Sequence, residues 1–310
     1  MKFKLANIEV RIARANAKKK EGKITTKELS SIYDDHLEHV MALTVDEIHQ
    51  RLSKVTVPDL NSVENLEKAA TLLKNEGIFV VPDFLDTETV NKIQNANSNL
   101  FSKVNEFSRE KGFYEDDSLA VQSTDGRLKT YSDFVDYGKP VACVRQDEDK
   151  GMVDVFNYDK LSEIAALDLK GIAEHEGLMS IISKRDTPLS LSNINLYFNK
   201  GTKSRGGFHY DDYGNNLKAF IYTLDATDLS FGPYCYVKGT HMDGPYRKLN
   251  KLISDNYKLN DTEAPLVPTK SIIPILAKSG SMVVTDQSGI HRGLPQEENA
   301  ERALMVIRYR

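Results

Sequence analysis

The sequence predicts a mainly β fold: a double-stranded β-helix (jelly roll, cupin-like) core with flanking helices and a helical N-terminal extension. Helical periodicity ends near Asp186, short β-rich runs recur from there to the C-terminus, and turn residues separate these runs. Such spacing is typical of closed or two-layered antiparallel sheets, whose rolled form brings distant strands to one mouth. The runs are 194–198, 207–211, 217–224, 233–237, 272–276, 281–285 and 303–309.

The N-terminal part of the chain has the pattern of helices. Apolar residues recur at helical spacing between residues 29 and 41, and Thr44 with Glu47 forms the capping-box pattern of a second helix. We expect these two helices to form a hairpin that packs on the main domain or on a partner subunit. The second option would give a homo-oligomer through the N-terminal helices. Residues 1–60 are therefore assigned to a helical N-terminal extension.

The remaining residues, 61–310, are assigned to the double-stranded β-helix domain. Within it, residues 113–150 are polar and hold few periodic apolar residues, so we expect loops there. The segment at about 242–270 is too long for a plain hairpin loop. Because loops of that length often cover binding sites, it is predicted to be a lid-like insertion.

The composition limits the partners and the location of the protein. The 310 residues carry a formal net charge of −4, which gives no overall attraction to nucleic acid or to an anionic membrane. No run approaches the length of a membrane span, and the first residues lack the apolar core of a secretion signal. Cys143 and Cys235 lie in apolar runs typical of buried free thiols. We expect a cytoplasmic protein with a small-molecule substrate and no nucleic-acid partner.

Three residues of the β-rich half have the composition of a metal centre. His209 and Asp211 stand two residues apart on a predicted strand, so their side chains point to the same face. His291 follows a later strand and a turn at Gly289. Two histidines and one carboxylate form the facial triad of non-heme Fe(II) oxygenases, which leaves open coordination positions for substrates such as O2. We predict that His209, Asp211 and His291 are catalytic metal ligands.

Arg302, eleven residues beyond His291, is a candidate clamp for a carboxylate. Its planar guanidinium is suited to two parallel hydrogen bonds with a carboxylate group. Iron together with such a clamp predicts 2-oxoglutarate as co-substrate. Arg292 and Arg308 are alternative clamps, and proximity to the predicted mouth favours Arg302.

Other polar side chains are weaker candidates for contacts with 2-oxoglutarate or substrate. Asn195 and Tyr197 share one face of the strand before the His-Asp motif, and that face is either inward or an outward polar surface. Thr285, in the strand before His291, and Lys218, in the strand after Asp211, are similar candidates.

Further histidines and basic residues have simpler interpretations. His36 and His39 lie on the first predicted helix, where we expect a solvent-facing surface. His241 follows a strand and is expected in a turn. Several basic residues flank the predicted mouth and would favour an anionic substrate, although exposed basic residues usually only contact solvent. They are Arg205, Arg247, Lys248 and Lys251.

From about Glu76 to Arg310 the chain resembles the phytanoyl-CoA dioxygenase family of Fe(II)/2-oxoglutarate-dependent oxygenases. The matching stretches are NEGIFVVPDFLDTETV, FHYDD, FIYTLDATDLSFGPYCYVKGTH and GIHRGLP followed by Arg302. In that family the HxD motif and the distal histidine bind iron, and an arginine about eleven residues later anchors 2-oxoglutarate. The resemblance thus implies Fe(II), 2-oxoglutarate and O2 for this chain. The first 60 residues have no counterpart in it.

The resemblance also implies a reaction: hydroxylation of an aliphatic carbon of a small or lipid-like metabolite, with release of succinate and CO2. Asp211 favours hydroxylation over halogenation, because related halogenases lack this carboxylate. Two alternatives remain. One is a cupin-like metal-dependent sugar isomerase or binding module, and the other is a catalytically silent relative that serves as a scaffold.

Overall fold

The computed structural model describes residues 26–107, 112–123, 128–129, 131–146, 149–203, 207–211, 214–241, 244–257, 259 and 262–310. The helices in these residues are α1 (Thr26–Met41), α2 (Val45–Ser53), α3 (Val63–Glu76), α4 (Thr87–Phe107), α5 (Tyr131–Asp136), α6 (Leu169–Ala173), α7 (Glu176–Ser183) and α8 (Pro245–Tyr257). The strands are β1 (Ile78–Val81), β2 (Phe113–Glu115), β3 (Ala120–Ser123), β4 (Val141–Val144), β5 (Met152–Phe156), β6 (Leu191–Lys200), β7 (Leu217–Tyr222), β8 (Tyr234–Val237), β9 (Ile272–Pro274), β10 (Met282–Asp286), β11 (His291–Gly293) and β12 (Glu301–Tyr309). None of the helices in the described residues is long and apolar enough to cross a membrane.

Two sheets form the body of the protein. The large sheet has the strand order β1-β10-β7-β12-β6-β5-β4-β3-β2, and the small sheet has the order β11-β8-β9. All neighbouring strands are antiparallel except β3 and β4. The prediction of a mainly β, two-layered fold is therefore confirmed.

Strand β12 shows why the large sheet is buried on both faces. Leu304 and Val306 belong to an inner core between the two sheets, whereas Ala303, Met305 and Ile307 belong to an outer core beneath α3, α4 and α7. Successive side chains of a strand alternate between faces, so a strand covered on both sides is apolar throughout. The inner core consists of Ile48, Leu52, Val55, Ile78, Val80, Phe220, Tyr222, Ala226, Tyr234, Tyr236, Ile273, Ile275, Leu276, Ala277, Val283, Leu304 and Val306.

Residues 207–211 extend the small sheet beside β11. The backbone N–H of His209 donates to the carbonyl of His291 at 3.0 Å, and the N–H of His291 donates back at 2.9 Å. On its other side His209 forms an antiparallel bridge with Glu263. The end of the long segment at about 242–270 is thus part of the small sheet. Its role as a lid stays a prediction.

Helices α1 and α2 pack directly on the sheets. On α1, Leu37 and Val40 contact a cluster on the outer face of the small sheet that includes Phe208. Ile48 and Leu52 of α2 lie in the inner core. A boundary at residue 60 and a homo-oligomer through these helices stay predictions.

The expected solvent-facing position of His36 was wrong. His36 is 1% exposed, and its ring meets the edge of Phe208 with 6.0 Å between ring centroids. The error has a physical cause: the face of α1 that carries His36 is covered by the small sheet, whose position local sequence does not reveal.

The expectation of loops throughout residues 113–150 was also wrong. The described part of this segment contains β2, β3, α5 and β4, and these strands extend the large sheet beyond β5. The strands have only three or four residues each, too few for a periodic pattern. Hydrogen bonds to neighbouring strands, rather than local pattern, therefore define them.

Gly77 ends α3 with a left-handed backbone, φ +77°. A Cβ at this position would overlap the hydroxyl of Tyr236 and lie 2.6 Å from Nδ1 of His241. Gly138 has a similar φ of +86° but no atom within 4 Å of a Cβ.

We expect Gly138→Ala to cost about 1–2 kcal/mol of unfolding free energy from backbone strain alone. Gly77→Ala should cost about 1–3 kcal/mol more from overpacking. Urea denaturation compares the two variants, and equal losses would contradict the proposed overlap.

Candidate metal centre

His209, Asp211 and His291 come together at one end of the inner space between the sheets. One ligand atom from each residue lies within 4.8 Å of the other two. Oδ1 of Asp211 is 3.3 Å from Nε2 of His291 and 3.9 Å from Nε2 of His209. The antiparallel bridge places both imidazoles on one side of the small sheet, and the two-residue period of a strand adds Asp211. Three donor atoms therefore face one small volume.

Backbone carbonyls orient both imidazole rings. Nδ1 of His209 lies 3.1 Å from the carbonyl oxygen of Gly207, and Nδ1 of His291 lies 2.9 Å from that of Gly289. A carbonyl oxygen only accepts, so each Nδ1 carries the proton and each Nε2 keeps its lone pair. A histidine that donates from Nδ1 to a carbonyl and keeps a free lone pair on Nε2 is typical of metal sites.

The charges around the site favour neutral imidazole and ionised carboxylate. Burial, together with the neighbouring His291, lowers the pKa of His209 to about 4. Burial alone would raise the pKa of Asp211, but Lys218 and His291 outweigh it and hold that pKa well below its usual range. Metal ions bind the deprotonated forms of both groups. The residues thus fit a divalent cation.

Arg302 lies on the same face of the small sheet as His291. Its Nη2 is 3.1 Å from the position that a Cβ on Gly293 would take, and Gly293 follows His291 by two residues on β11. A two-residue step along a strand is about 6.8 Å, comparable to the length of a five-carbon dicarboxylate. The glycine therefore leaves room for the guanidinium on the metal side of the strand.

The Arg302 guanidinium is buried without compensation by the described residues. The side chain is 7% exposed, and neither Nε nor Nη1 has a hydrogen-bond partner among them. Burial lowers its pKa below the ordinary value. Buried charges in proteins are normally paired, so this cation indicates a site for an anion.

The two alternative arginines are placed differently. Arg292 lies with its guanidinium 5.6 Å from the ring of Phe208, on the face opposite to that of His209. Arg308 donates through Nε to Oδ1 of Asn216 at 3.3 Å. The contacts of both residues favour Arg302 as the clamp.

Asn195, Tyr197 and Thr285 all face the interior between the sheets. Asn195 pairs across the strands with Val306, and Tyr197 pairs with Leu304, both members of the inner core. Asn195 also accepts a hydrogen bond from the backbone N–H of Asn157 at 3.3 Å. Thr285 accepts a hydrogen bond from Nε2 of Gln287 at 2.6 Å. Contacts of the three residues with a co-substrate stay predictions.

Sequence reasoning missed two residues close to the triad. The ring of Tyr234 lies 5.7 Å from that of His291, and its hydroxyl is 3.4 Å from Oγ1 of Thr285. Oε1 of the fully buried Gln287 has no partner among the described residues. The alternating aromatic pattern of PYCYV in β8 was the signal that could have identified Tyr234 as inward-facing.

His241 has a structural contact, and three of the four predicted basic residues lie on one helix. Nε2 of His241 is 3.0 Å from the carbonyl oxygen of Lys74, which ties the turn after β8 to α3. Of the basic residues expected to attract an anionic substrate, Arg247, Lys248 and Lys251 lie on α8. Arg205 lies outside the described residues.

Comparison with known proteins identifies the family. The sequence profile of the phytanoyl-CoA dioxygenase (PhyH) family matches residues 73–303, well over half of the chain. The chain therefore belongs to the phytanoyl-CoA dioxygenase family. A comparison with curated proteins found no significant match.

Several solved structures are similar to this chain. The non-heme α-ketoglutarate-dependent carbocyclase SnoK from nogalamycin biosynthesis is 14% identical, with a TM-score of 0.51 over 80% of this chain and 83% of that chain. The epimerase SnoN from the same biosynthesis is 12% identical, with a TM-score of 0.47 over 80% and 84%. AviO1 from Streptomyces viridochromogenes Tue57 is 15% identical, with a TM-score of 0.48 over 80% and 96%. The likeness to SnoK shows a shared fold.

Replacing the uncompensated arginine should stabilise the ligand-free protein. We expect Arg302→Met to raise the free energy of unfolding by about 1–4 kcal/mol, because it removes a buried charge and keeps apolar volume. As a matched control, Arg308→Met should lower it by about 1–3 kcal/mol, because the buried oxygen of Asn216 loses a donor. Urea denaturation without added ligands measures both. A loss of stability in Arg302→Met would show that the guanidinium has a partner.

Proposed function

We propose that the protein is an Fe(II)- and 2-oxoglutarate-dependent dioxygenase that hydroxylates an aliphatic carbon of a small or lipid-like metabolite, releasing succinate and CO2. One observation supports this proposal most directly. Three metal-ligand side chains lie on one face of the small sheet, and a buried arginine whose Nε and Nη1 have no described partner reaches the same face beside Gly293, two residues from His291. A metal ion alone would not need the arginine, and an anion site alone would not need the triad.

The residues of the site would have separate binding roles. His209, Asp211 and His291 would hold iron, with the carbonyls of Gly207 and Gly289 fixing the rings. Arg302 would bind the far carboxylate of 2-oxoglutarate through two charge-assisted hydrogen bonds, which sets the direction of the co-substrate. The bound iron supplies the O2 chemistry that couples decarboxylation of 2-oxoglutarate to oxidation of a substrate C–H bond.

The interior favours an apolar reacting group. Tyr222, Phe220 and Val306 are buried in the inner core and keep water from much of the space behind the centre. Exclusion of water protects reactive species from side reactions. An aliphatic substrate carbon therefore suits the position beside the metal better than a charged group. The basic side chains of α8 would meet an anionic part of the substrate outside this space.

Hydroxylation is the most specific part of the proposal, because related enzymes with the same cofactors catalyse other reactions. Asp211 supplies the carboxylate ligand, which favours oxygen insertion over halide transfer. SnoK is described as a carbocyclase and SnoN as an epimerase, so ring closure and epimerisation are the competing outcomes. Labelled O2 separates them, because hydroxylation places one labelled oxygen atom in the product derived from the substrate, whereas the other two reactions label only the succinate and water.

The test is succinate release from 2-oxoglutarate with Fe(II), ascorbate and O2, in the presence of a panel of acyl-CoAs, amino-acid derivatives and secondary metabolites. We expect His209→Ala to abolish turnover, because one metal ligand is lost. Arg302→Met should raise the KM for 2-oxoglutarate by about 100-fold, the loss expected for a buried charge pair. Arg308→Lys serves as the control and should keep a KM near that of the wild type.

Three outcomes would contradict the proposal. Iron-independent turnover, or none with the whole panel, would favour the metal-dependent isomerase or the silent scaffold instead. An unchanged KM in Arg302→Met would remove the arginine from the co-substrate site.

A further inference from the structure

Lys218 reaches the candidate metal centre although it is not part of the triad. It lies on β7, opposite Thr285 on one neighbouring strand and Arg308 on the other. Its side chain is 12% exposed, and Nζ is 2.5 Å from Oδ2 of Asp211. A buried lysine keeps its charge at low cost only where an anion contacts it, and here that anion is a candidate metal ligand.

The two oxygens of Asp211 have different neighbours. Oδ1 faces the gap between the imidazoles, 3.3 Å from Nε2 of His291 and 3.9 Å from Nε2 of His209. Oδ2 is held by the ammonium group of Lys218. The carboxylate therefore offers one oxygen to the space where a metal fits and has the other bound from behind.

The other acid that Lys218 influences does not need it. Asp154 lies near enough for Lys218 to favour its ionised form. Its carboxylate, however, already accepts from Nε and Nη2 of Arg145, at 2.8 and 2.5 Å. The short contact of Lys218 is thus specific to Asp211, and the sheet has its own ion pair for Asp154.

The different neighbours of the two Asp211 oxygens matter because a carboxylate binds a metal through one oxygen or through both. With one oxygen from Asp211, a facial triad leaves three positions, two for 2-oxoglutarate and one for O2. With both oxygens, only two positions remain, and the co-substrate would compete with the protein's own ligand. We propose that Lys218 is a positioning residue. Its ammonium group binds Oδ2 of Asp211, so that the carboxylate binds a divalent metal through Oδ1 alone. This inference rests on the proposed function of the same site.

The test uses the full chain loaded with Co(II) in place of iron. The visible absorption of Co(II) reports the ligand set and its geometry without turnover. Lys218→Met removes the ammonium group and keeps most of the side-chain volume. We expect its Co(II) band to shift, because Oδ2 of Asp211 then replaces another ligand of the metal, and the Kd for 2-oxoglutarate, titrated by the same band, to rise about 10–100-fold. Lys218→Arg keeps a donor for Oδ2 and should restore most of the affinity.

The matched control is Lys103→Met. Lys103 forms an ion pair of the same 2.5 Å length with Glu163, between α4 and the segment before α6. We expect its Co(II) spectrum and its affinity for 2-oxoglutarate to equal those of the wild type. If Lys218→Met does not fold, as judged by circular dichroism, Lys218→Ala replaces it, with the same direction expected.

A double variant tests whether Lys218 acts through Asp211. In an Asp211→Gly background no carboxylate remains to be positioned, so adding Lys218→Met should leave the Co(II) spectrum unchanged. A wild-type spectrum and a wild-type Kd for 2-oxoglutarate in the single Lys218→Met variant would overturn the inference. A wild-type chain that bound no Co(II) would overturn the proposed function itself. Failure of the proposed function is thus distinguishable from failure of the inference about Lys218.

Discussion

The antiparallel pairing of His209 with His291 is the contact on which the candidate metal centre depends. Each residue donates one backbone hydrogen bond to the other, and this exchange aligns two segments that are far apart in sequence. Facing residues of such a pair project to the same side, so both imidazoles enter one space. A slip of one residue would send one imidazole to the opposite face of the sheet. The register of two short segments thus determines whether a metal can bind.

The two buried cations near the candidate centre have different electrostatic surroundings. Lys218 is balanced by Asp211, whereas Arg302 is buried without a described partner. In a low-dielectric interior an unpaired cation is costly until an anion arrives. A dicarboxylate would relieve that cost, and its second carboxylate would then lie toward the triad. Proteins depart from the best-packed arrangement mainly at functional sites, which supports the role proposed for Arg302.

The parts of the structure that sequence reasoning missed share one cause. The strands β2, β3 and β4 are too short to show a period. They exist because each forms hydrogen bonds with the next strand of the sheet: β4 with β5, β3 with β4 and β2 with β3. His36 is buried because the small sheet covers its side of α1, a fact absent from the pattern of α1 itself. By contrast, the capping box at Thr44 and Glu47 was predicted and is confirmed, with the Glu47 N–H donating to the Thr44 hydroxyl at 3.2 Å. Local interactions are visible in a sequence, and contacts between distant segments are not.

The sequence by itself identified the candidate residues of the site. The two-residue period of a strand relates His209 to Asp211, and family motifs add His291 and Arg302. The sequence favoured Arg302 by its spacing from His291, and only the tertiary structure showed that the surroundings of Arg302, Arg292 and Arg308 differ. The difference lies in which face each guanidinium reaches and in what it meets there. The same holds for Lys218, whose contact with one oxygen of Asp211 arises where β7 packs beside residues 207–211.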